Sequence, residues 1–222
     1  MNTFVEFIGD PRTITKGSLL SSKAIFNMVY NPDGSFKKFK ARLVARGDML
    51  KNLHDPDTYA GTVHSDTLRL FFSVAASLDL DLVSHDIKTA FLYPSLKENE
   101  DIYLRRPAGA TDEIMPPIVK LLKCVYGLPQ ASKYFDEHLS ATLLKLGFSR
   151  CISDNQLFLL RRGNDFVYLL KHVDDCLLAA ARNSKLLCTV GEDLSKVYKI
   201  TTFQNRTCEL CWISYIKRSP KA

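Results

Sequence analysis

Residues 166–181 are apolar on both sides of a short polar centre, and that centre holds two adjacent aspartates, Asp174 and Asp175. An ionised carboxylate is costly to bury without a partner. Two in succession therefore cannot lie inside the core that the flanking residues, Tyr168 to Ala180, require. A tight turn between two strands resolves the conflict by burying the flanks and holding both acids at a surface. There the carboxylates repel each other, and a divalent cation with hard oxygen ligands offsets the repulsion. Asp is also common in turns for conformational reasons, so an ordinary acidic hairpin turn is the competing reading.

A third acid, Asp86, closes a separate strand-like stretch. With period-2 alternation, Leu82, Ser84 and Asp86 fall on one face and Val83, His85 and Ile87 on the other. If the two strands are neighbours in one sheet, Asp86 and Asp174 converge. Carboxylates so placed hold two Mg²⁺ ions, the arrangement that stabilises attacking and leaving oxygens in an in-line phosphoryl displacement.

The rest of the chain supplies a frame of mixed type. The apolar run Ala24–Tyr30, the turn Asn31-Pro32-Asp33-Gly34 and the stretch Phe36–Ala45 predict a β-hairpin. Ser65-Asp66-Thr67 opens a helix with Leu68, Phe71, Phe72, Ala75 and Leu78 at helical spacing. A second helix is expected over 132–146, with a stripe of Phe135, Leu139, Leu143 and Leu146 closed by Gly147. Asn183 is a candidate cap for a third, whose stripe is Leu186, Val190, Leu194 and Val197. The stretch 94–117, with four prolines, reads as loose. Strand and helix do not alternate regularly, so the expected class is α+β.

At 222 residues and 46% apolar content, the chain can bury one sizeable core or two interleaved subdomains without disulfides. No apolar run approaches the roughly 18 residues that span a bilayer. The N-terminus lacks the pattern of a secretory signal, which points to an intracellular protein and no membrane partner. Cys124, Cys151, Cys176 and Cys188 stand singly, as free packed thiols do. Cys208 and Cys211 form a C-x-x-C pair without a second pair, so packing is favoured over a zinc site.

The net charge is +6, and residues 1–51 hold nine Lys or Arg against four acids. Most lie between Phe36 and Lys51: Lys37, Lys38, Lys40, Arg42, Arg46 and Lys51 against Asp48 alone. Such a segment suits a polyanion, a nucleic acid or a nucleoside triphosphate, or forms a solubilising face.

Five segments, taken in order, resemble the boxes of copia-type reverse transcriptases from the Pol polyproteins of LTR retrotransposons. His172-Val173-Asp174-Asp175 is similar to the Tyr/Phe-x-Asp-Asp box. Asp86-Ile-Lys-Thr-Ala-Phe91-Leu resembles the first catalytic box, and Tyr126-Gly-Leu-Pro-Gln130 the box between. Lys40-Ala-Arg-Leu-Val-Ala-Arg-Gly47 resembles the family's Lys-Ala-Arg-Leu-Val-Ala-Lys-Gly. Ile102-Tyr-Leu-Arg-Arg-Pro107 resembles its Ile-Tyr-Met-x-x-Pro. Together they cover roughly residues 25–218.

The resemblance implies an RNA-directed DNA polymerase using two Mg²⁺ ions, or Mn²⁺. It implies fingers and palm, with an antiparallel palm sheet and packed helices, the family's thumb being absent from this sequence. The hairpin region 24–62 would be fingers, and 63–222 mainly palm with a fingers insertion near 94–125. Asp86, Asp174 and Asp175 would be catalytic and metal-binding. Lys40 and Arg42 would reach the triphosphate, Phe91 would exclude a ribose 2′-hydroxyl, and Gln130 would touch the incoming nucleotide. His172, Val173 and Trp212 would lie near the primer. Partners implied are an RNA template, a DNA or RNA primer, deoxynucleoside triphosphates, and remaining Pol segments such as thumb, RNase H and integrase. Localisation in the family is cytoplasmic, in virus-like particles, or nuclear.

Two positions depart from the pattern: His172 replaces Tyr or Phe, and Trp212 stands where Gly is usual. The sequence also stops at Ala222, where a thumb is expected to follow. The competing functional reading is therefore a truncated, catalytically silent remnant that binds nucleic acid non-specifically. A different two-metal palm enzyme, such as a cyclase, is disfavoured by the Leu-Pro-Gln box.

Overall fold

The computed structural model describes residues 3–15, 18–31, 33–50 and 58–204. Pro32, Lys51, Cys208, Cys211 and Trp212 lie outside the described residues. In chain order the strands are β1 (Phe4–Glu6), β2 (Leu19–Leu20), β3 (Ser22–Tyr30), β4 (Phe36–Ala45), β5 (Asp81–Ile87) and β6 (Tyr103–Arg105). They continue with β7 (Ile118–Leu121), β8 (Ser149–Arg150), β9 (Leu157–Arg162), β10 (Asp165–His172), β11 (Asp175–Ala180) and β12 (Ile200–Gln204). The α-helices are α1 (Ser65–Ser77), α2 (Ala131–Lys145) and α3 (Lys185–Val197). No helix among the described residues is long and apolar enough to cross a membrane.

The chain divides into two compact units. The first comprises Met1–Tyr59 and Phe91–Phe135. Its four-stranded sheet has the order β1-β7-β6-β2, so the stretch 94–117, expected to be loose, contributes a strand of its own, β6. The three-residue length of β6 explains why no periodicity announced it. Leu20, Leu104, Val119, Leu121, Cys124 and Val125 form this unit's core. The β3–β4 pair is a separate two-stranded ribbon with a register shift between Val29 and Tyr30.

The second unit comprises Ala60–Ala90 and Asp136–Ala222. Its sheet has the order β12-β5-β11-β10-β9-β8, antiparallel throughout. One face of β10 and β11, with Tyr168, Leu170, Leu177 and Ala179, packs against Leu68, Phe71 and Ala75 of α1. On the opposite face, Lys171 reaches Asp136 and Ser140 of α2. Burial on both faces accounts for the near-continuous apolar character of these two strands.

The expected helices form, with shifted ends. α2 buries Phe135, Leu139 and Leu143 completely. It closes with Gly147 at φ 94°, where the Gly147 N–H meets Leu144 O at 3.0 Å and the Phe148 N–H meets Leu143 O at 3.1 Å. That paired closure is a Schellman cap. Ser184, not Asn183, caps α3: its Oγ accepts the Leu187 N–H at 3.1 Å, while Asn183 takes a positive φ of 57°. Val197 and Leu78 are largely exposed, and the stripe of α3 ends on Leu194 with Tyr198 buried behind it.

Candidate active site: a row of carboxylates

β5 and β11 are neighbours, so the condition for the aspartates to converge is met. The register pairs Asp175 directly with Asp86, and Asp175 also pairs with His172 across the hairpin. β12 adds Thr201 opposite Asp86. Directly opposed residues share a face, so Thr201, Asp86, Asp175 and His172 form one row across four strands. Asp174 lies in the turn just beyond, where its carbonyl accepts the Ile87 N–H at 2.9 Å.

The turn has only Val173 and Asp174 between the paired residues His172 and Asp175. Val173 adopts φ 53°. Two-residue hairpins need positive φ at a central position and normally place Gly or Asn there. A β-branched residue in that region carries strain of about 1–3 kcal/mol. No local sequence signal announced this.

Burial, and then the neighbouring charge of Asp174, push the Asp175 carboxyl up to about 6, against a lowering influence from Lys88. Burial lowers the His172 imidazole, opposed by the charge of Asp174. The Lys88 ammonium pairs with the Asp86 carboxylate. Sequence reasoning assigned Lys88 no role, although its i+2 spacing from Asp86 was a usable signal. On the opposite face, His85 is buried with Nδ1 3.0 Å from Thr202 Oγ1, and burial pulls its imidazole down to about 4.

The first unit gathers the other candidates. Lys40 is exposed on β4, and Arg42, two residues on, places its guanidinium 5.9 Å from the Tyr126 ring centre. Tyr126 meets Phe91 edge-on at 5.1 Å, and Phe91 meets Phe135 at 6.4 Å. The end of β4 is seated on the Tyr126-Gly127 loop, with the Ala45 N–H 2.8 Å from Tyr126 O. Gly127, at φ 90°, leaves room for that approach, since a Cβ there would lie 2.2 Å from Ala45 O. Gln130 is fully buried, its amide nitrogen donating to Glu100 Oε1 at 3.2 Å. It is therefore neither solvent-facing nor at a surface.

Among the described residues no group of three or more His, Cys, Asp and Glu side chains is assembled to hold a metal. The donor chemistry nonetheless suits a hard divalent cation. Asp86 and Asp175 are cross-strand partners with Asp174 adjacent, and burial first, then the charge of Asp174, push the Asp175 carboxyl up to about 6.

A sequence profile of the family described as Reverse transcriptase (RNA-dependent DNA polymerase) matches residues 19–212. The chain belongs to that family. Its relatives place it more narrowly, among the reverse transcriptase domains of copia-type transposon Pol polyproteins. It is 34% identical over 185 residues, 82% of its length, to the Retrovirus-related Pol polyprotein from transposon RE1 of Arabidopsis thaliana. Identity is 30% over 219 residues, 90% of the chain, with the Retrovirus-related Pol polyprotein from transposon TNT 1-94 of Nicotiana tabacum. It is 32% over 188 residues, 82% of the chain, with the Transposon Ty1-ER2 Gag-Pol polyprotein of Saccharomyces cerevisiae. The chain spans only 12%, 16% and 10% of those relatives' own lengths.

Proposed function

We propose that this chain is the fingers-and-palm portion of an RNA-directed DNA polymerase that adds deoxynucleotides to a primer 3′-end on an RNA template. The observation that carries the reading is the cross-strand pairing of Asp86 with Asp175 beside the Asp174 turn. In it, Asp86, Asp174 and Asp175 hold divalent cations, Mg²⁺ or Mn²⁺. Bound there, such ions supply charge neutralisation at the reacting phosphorus and polarisation of the primer hydroxyl.

The chain's own groups do the rest. Lys88 neutralises Asp86 when no cation is present, so the site can be kept folded without one. Lys40 and Arg42 bind triphosphate oxygens, the guanidinium lying 5.9 Å over the Tyr126 ring. Phe91, wedged between Tyr126 and Phe135, is a rigid wall against a 2′-hydroxyl. Gln130, buried on Glu100, positions the Tyr126–Gln130 loop without reaching the nucleotide. His172 and Val173 place the strained turn at the primer end, and Trp212 is assigned to the same region. Template, primer and the remaining Pol segments are the partners of this reading.

The test is primer extension on poly(rA)/oligo(dT) with Mg²⁺, comparing the chain with Asp174→Asn. Extension by the wild type that the mutant loses supports the assignment. Equal extension by both sinks the site, and none from folded wild type favours the silent-remnant reading.

A further inference from the structure

α3 carries a glycine, Gly191, in its interior, where glycine is a poor helix former. A Cβ added there would come no closer than 3.5 Å to His85 Nε2 and 3.7 Å to His85 Cε1. Those are ordinary contact distances, so packing does not require the glycine. What its missing methyl does is leave that side of the imidazole uncovered.

His85 is only 3% exposed. Its Nδ1 lies 3.0 Å from Thr202 Oγ1, and its Nε2 has no hydrogen-bond partner among the described residues. A buried polar atom left unpaired is costly. His85 pairs across the sheet with Thr202 of β12 and Cys176 of β11, on the face turned away from Asp86. Against it lies a cavity of about 450 Å³, lined by Val83, His85 and Thr202 of the sheet and by Leu187, Gly191 and Glu192 of α3. Leu186, Val190 and Leu194 seat the helix in the core, and the neighbouring row from Leu187 to Gly191 is left over the cavity. Small-molecule sites have this size, roughly 300–1,000 Å³, and this mixture of apolar wall and a few fixed polar groups.

Three features define the occupant. In the neutral ring, Nδ1 either donates to or accepts from the Thr202 hydroxyl, so Nε2 accepts or donates in turn. A ligand with a donor and an acceptor side by side satisfies either tautomer. Val83 and Leu187 suit an apolar body, and the exposed Glu192 suits an N–H at the mouth. Heteroaromatic amines, flat rings with an amino group beside a ring nitrogen, combine all three.

We propose that this cavity binds a free heteroaromatic amine through His85 Nε2. The site goes beyond the polymerase reading and makes no demand on the carboxylate row. His85 and Thr202 alternate with Asp86 and Thr201 along the same two strands, so the bound molecule rests on the strand that carries Asp86.

The test titrates 2-aminobenzimidazole into the full chain in EDTA, followed by calorimetry and by the ¹⁵N shifts of the histidine rings. Wild type should bind it saturably, with the largest shift at the ring signal that His85→Gln removes. Indane, a bicycle of similar size without hydrogen-bonding atoms, should bind roughly tenfold more weakly because it leaves Nε2 unpaired. Gly191→Ala places a methyl against Nε2 and should weaken 2-aminobenzimidazole binding by a similar factor. Its melting temperature should equal or exceed that of wild type, since alanine is the better helix former. Glu192→Gln should weaken binding roughly two- to fivefold. No saturable binding by wild type, a shift confined to other histidines, or undiminished binding by Gly191→Ala overturns the site. So does equal binding of indane, since the cavity would then select nothing through His85. Loss of primer extension leaves all of these readouts in place, so failure of the polymerase reading is told apart from failure of the cavity.

Discussion

The β3–β4 ribbon and the six-stranded sheet are both antiparallel, yet they solve opposite problems. β10 and β11 are covered on both faces, carry Leu169, Leu170, Leu177 and Leu178 with no exposure, and hold Asp174 and Asp175 at the turn that joins them. The ribbon has no such cover, so its alternation separates aromatic from cationic residues, both in water. The first pattern fixes a register to which carboxylates can be pinned. The second leaves a surface whose partner is not part of the same chain's core. Strand propensity alone does not distinguish them; what lies above and below the strand does.

The difference is widest on truncation. Leu170→Ala should destabilise the fold by about 2–5 kcal/mol through cavity formation, whereas Phe39→Ser should stay within about 0.5 kcal/mol. Urea unfolding of both variants checks this, and comparable losses would break the contrast. A smaller effect is expected at the turn that ends the buried hairpin. Val173→Gly removes the strain of a β-branched residue at positive φ and should stabilise by about 1 kcal/mol. It should also lower primer extension, because the turn then holds Asp174 less rigidly. Stabilisation with full activity would separate the strain from the function.

The smallest effect concerns a lysine in each setting. Lys171, at 1% exposure, bonds Asp136 Oδ1 at 2.7 Å and Ser140 Oγ at 2.5 Å, and its burial lowers its pKa from the ordinary value. Just below 10.5, therefore, the unfolded chain binds more protons at this position than the folded one. Stability contributed by this group must then rise with pH across that window. Lys171→Met should flatten the rise in alkaline urea titrations, and Lys38→Met on the open ribbon should leave it in place.

Much of this was legible from residues. The Asp-Asp pair between apolar flanks gave the hairpin, and the alternation Leu82-Ser84-Asp86 gave the face later found opposite Asp175. The Phe135-Leu139-Leu143 stripe and Gly147 gave α2 and its stop. What escaped depends on distant partners or single dihedrals. β6 is too short for periodicity, and the buried Gln130 has its partner, Glu100, 30 residues away in the chain. Ser184 won the α3 cap from Asn183 through local geometry. The register shift that moves Phe36 across the ribbon leaves no mark in the pattern itself.

The central claim is that Asp86, Asp174 and Asp175 form a divalent-cation site, and Mn²⁺ binding followed by electron paramagnetic resonance tests it most directly. The wild-type chain should bind Mn²⁺ and release it to Mg²⁺, and the binding should be lost in Asp86→Asn and in Asp174→Asn. Asp174→Asn should melt at or above the wild-type temperature in EDTA, since it removes a repelling charge, whereas Asp86→Asn also gives up the Lys88 ion pair and should show no such gain. Undiminished Mn²⁺ binding by Asp86→Asn would contradict it.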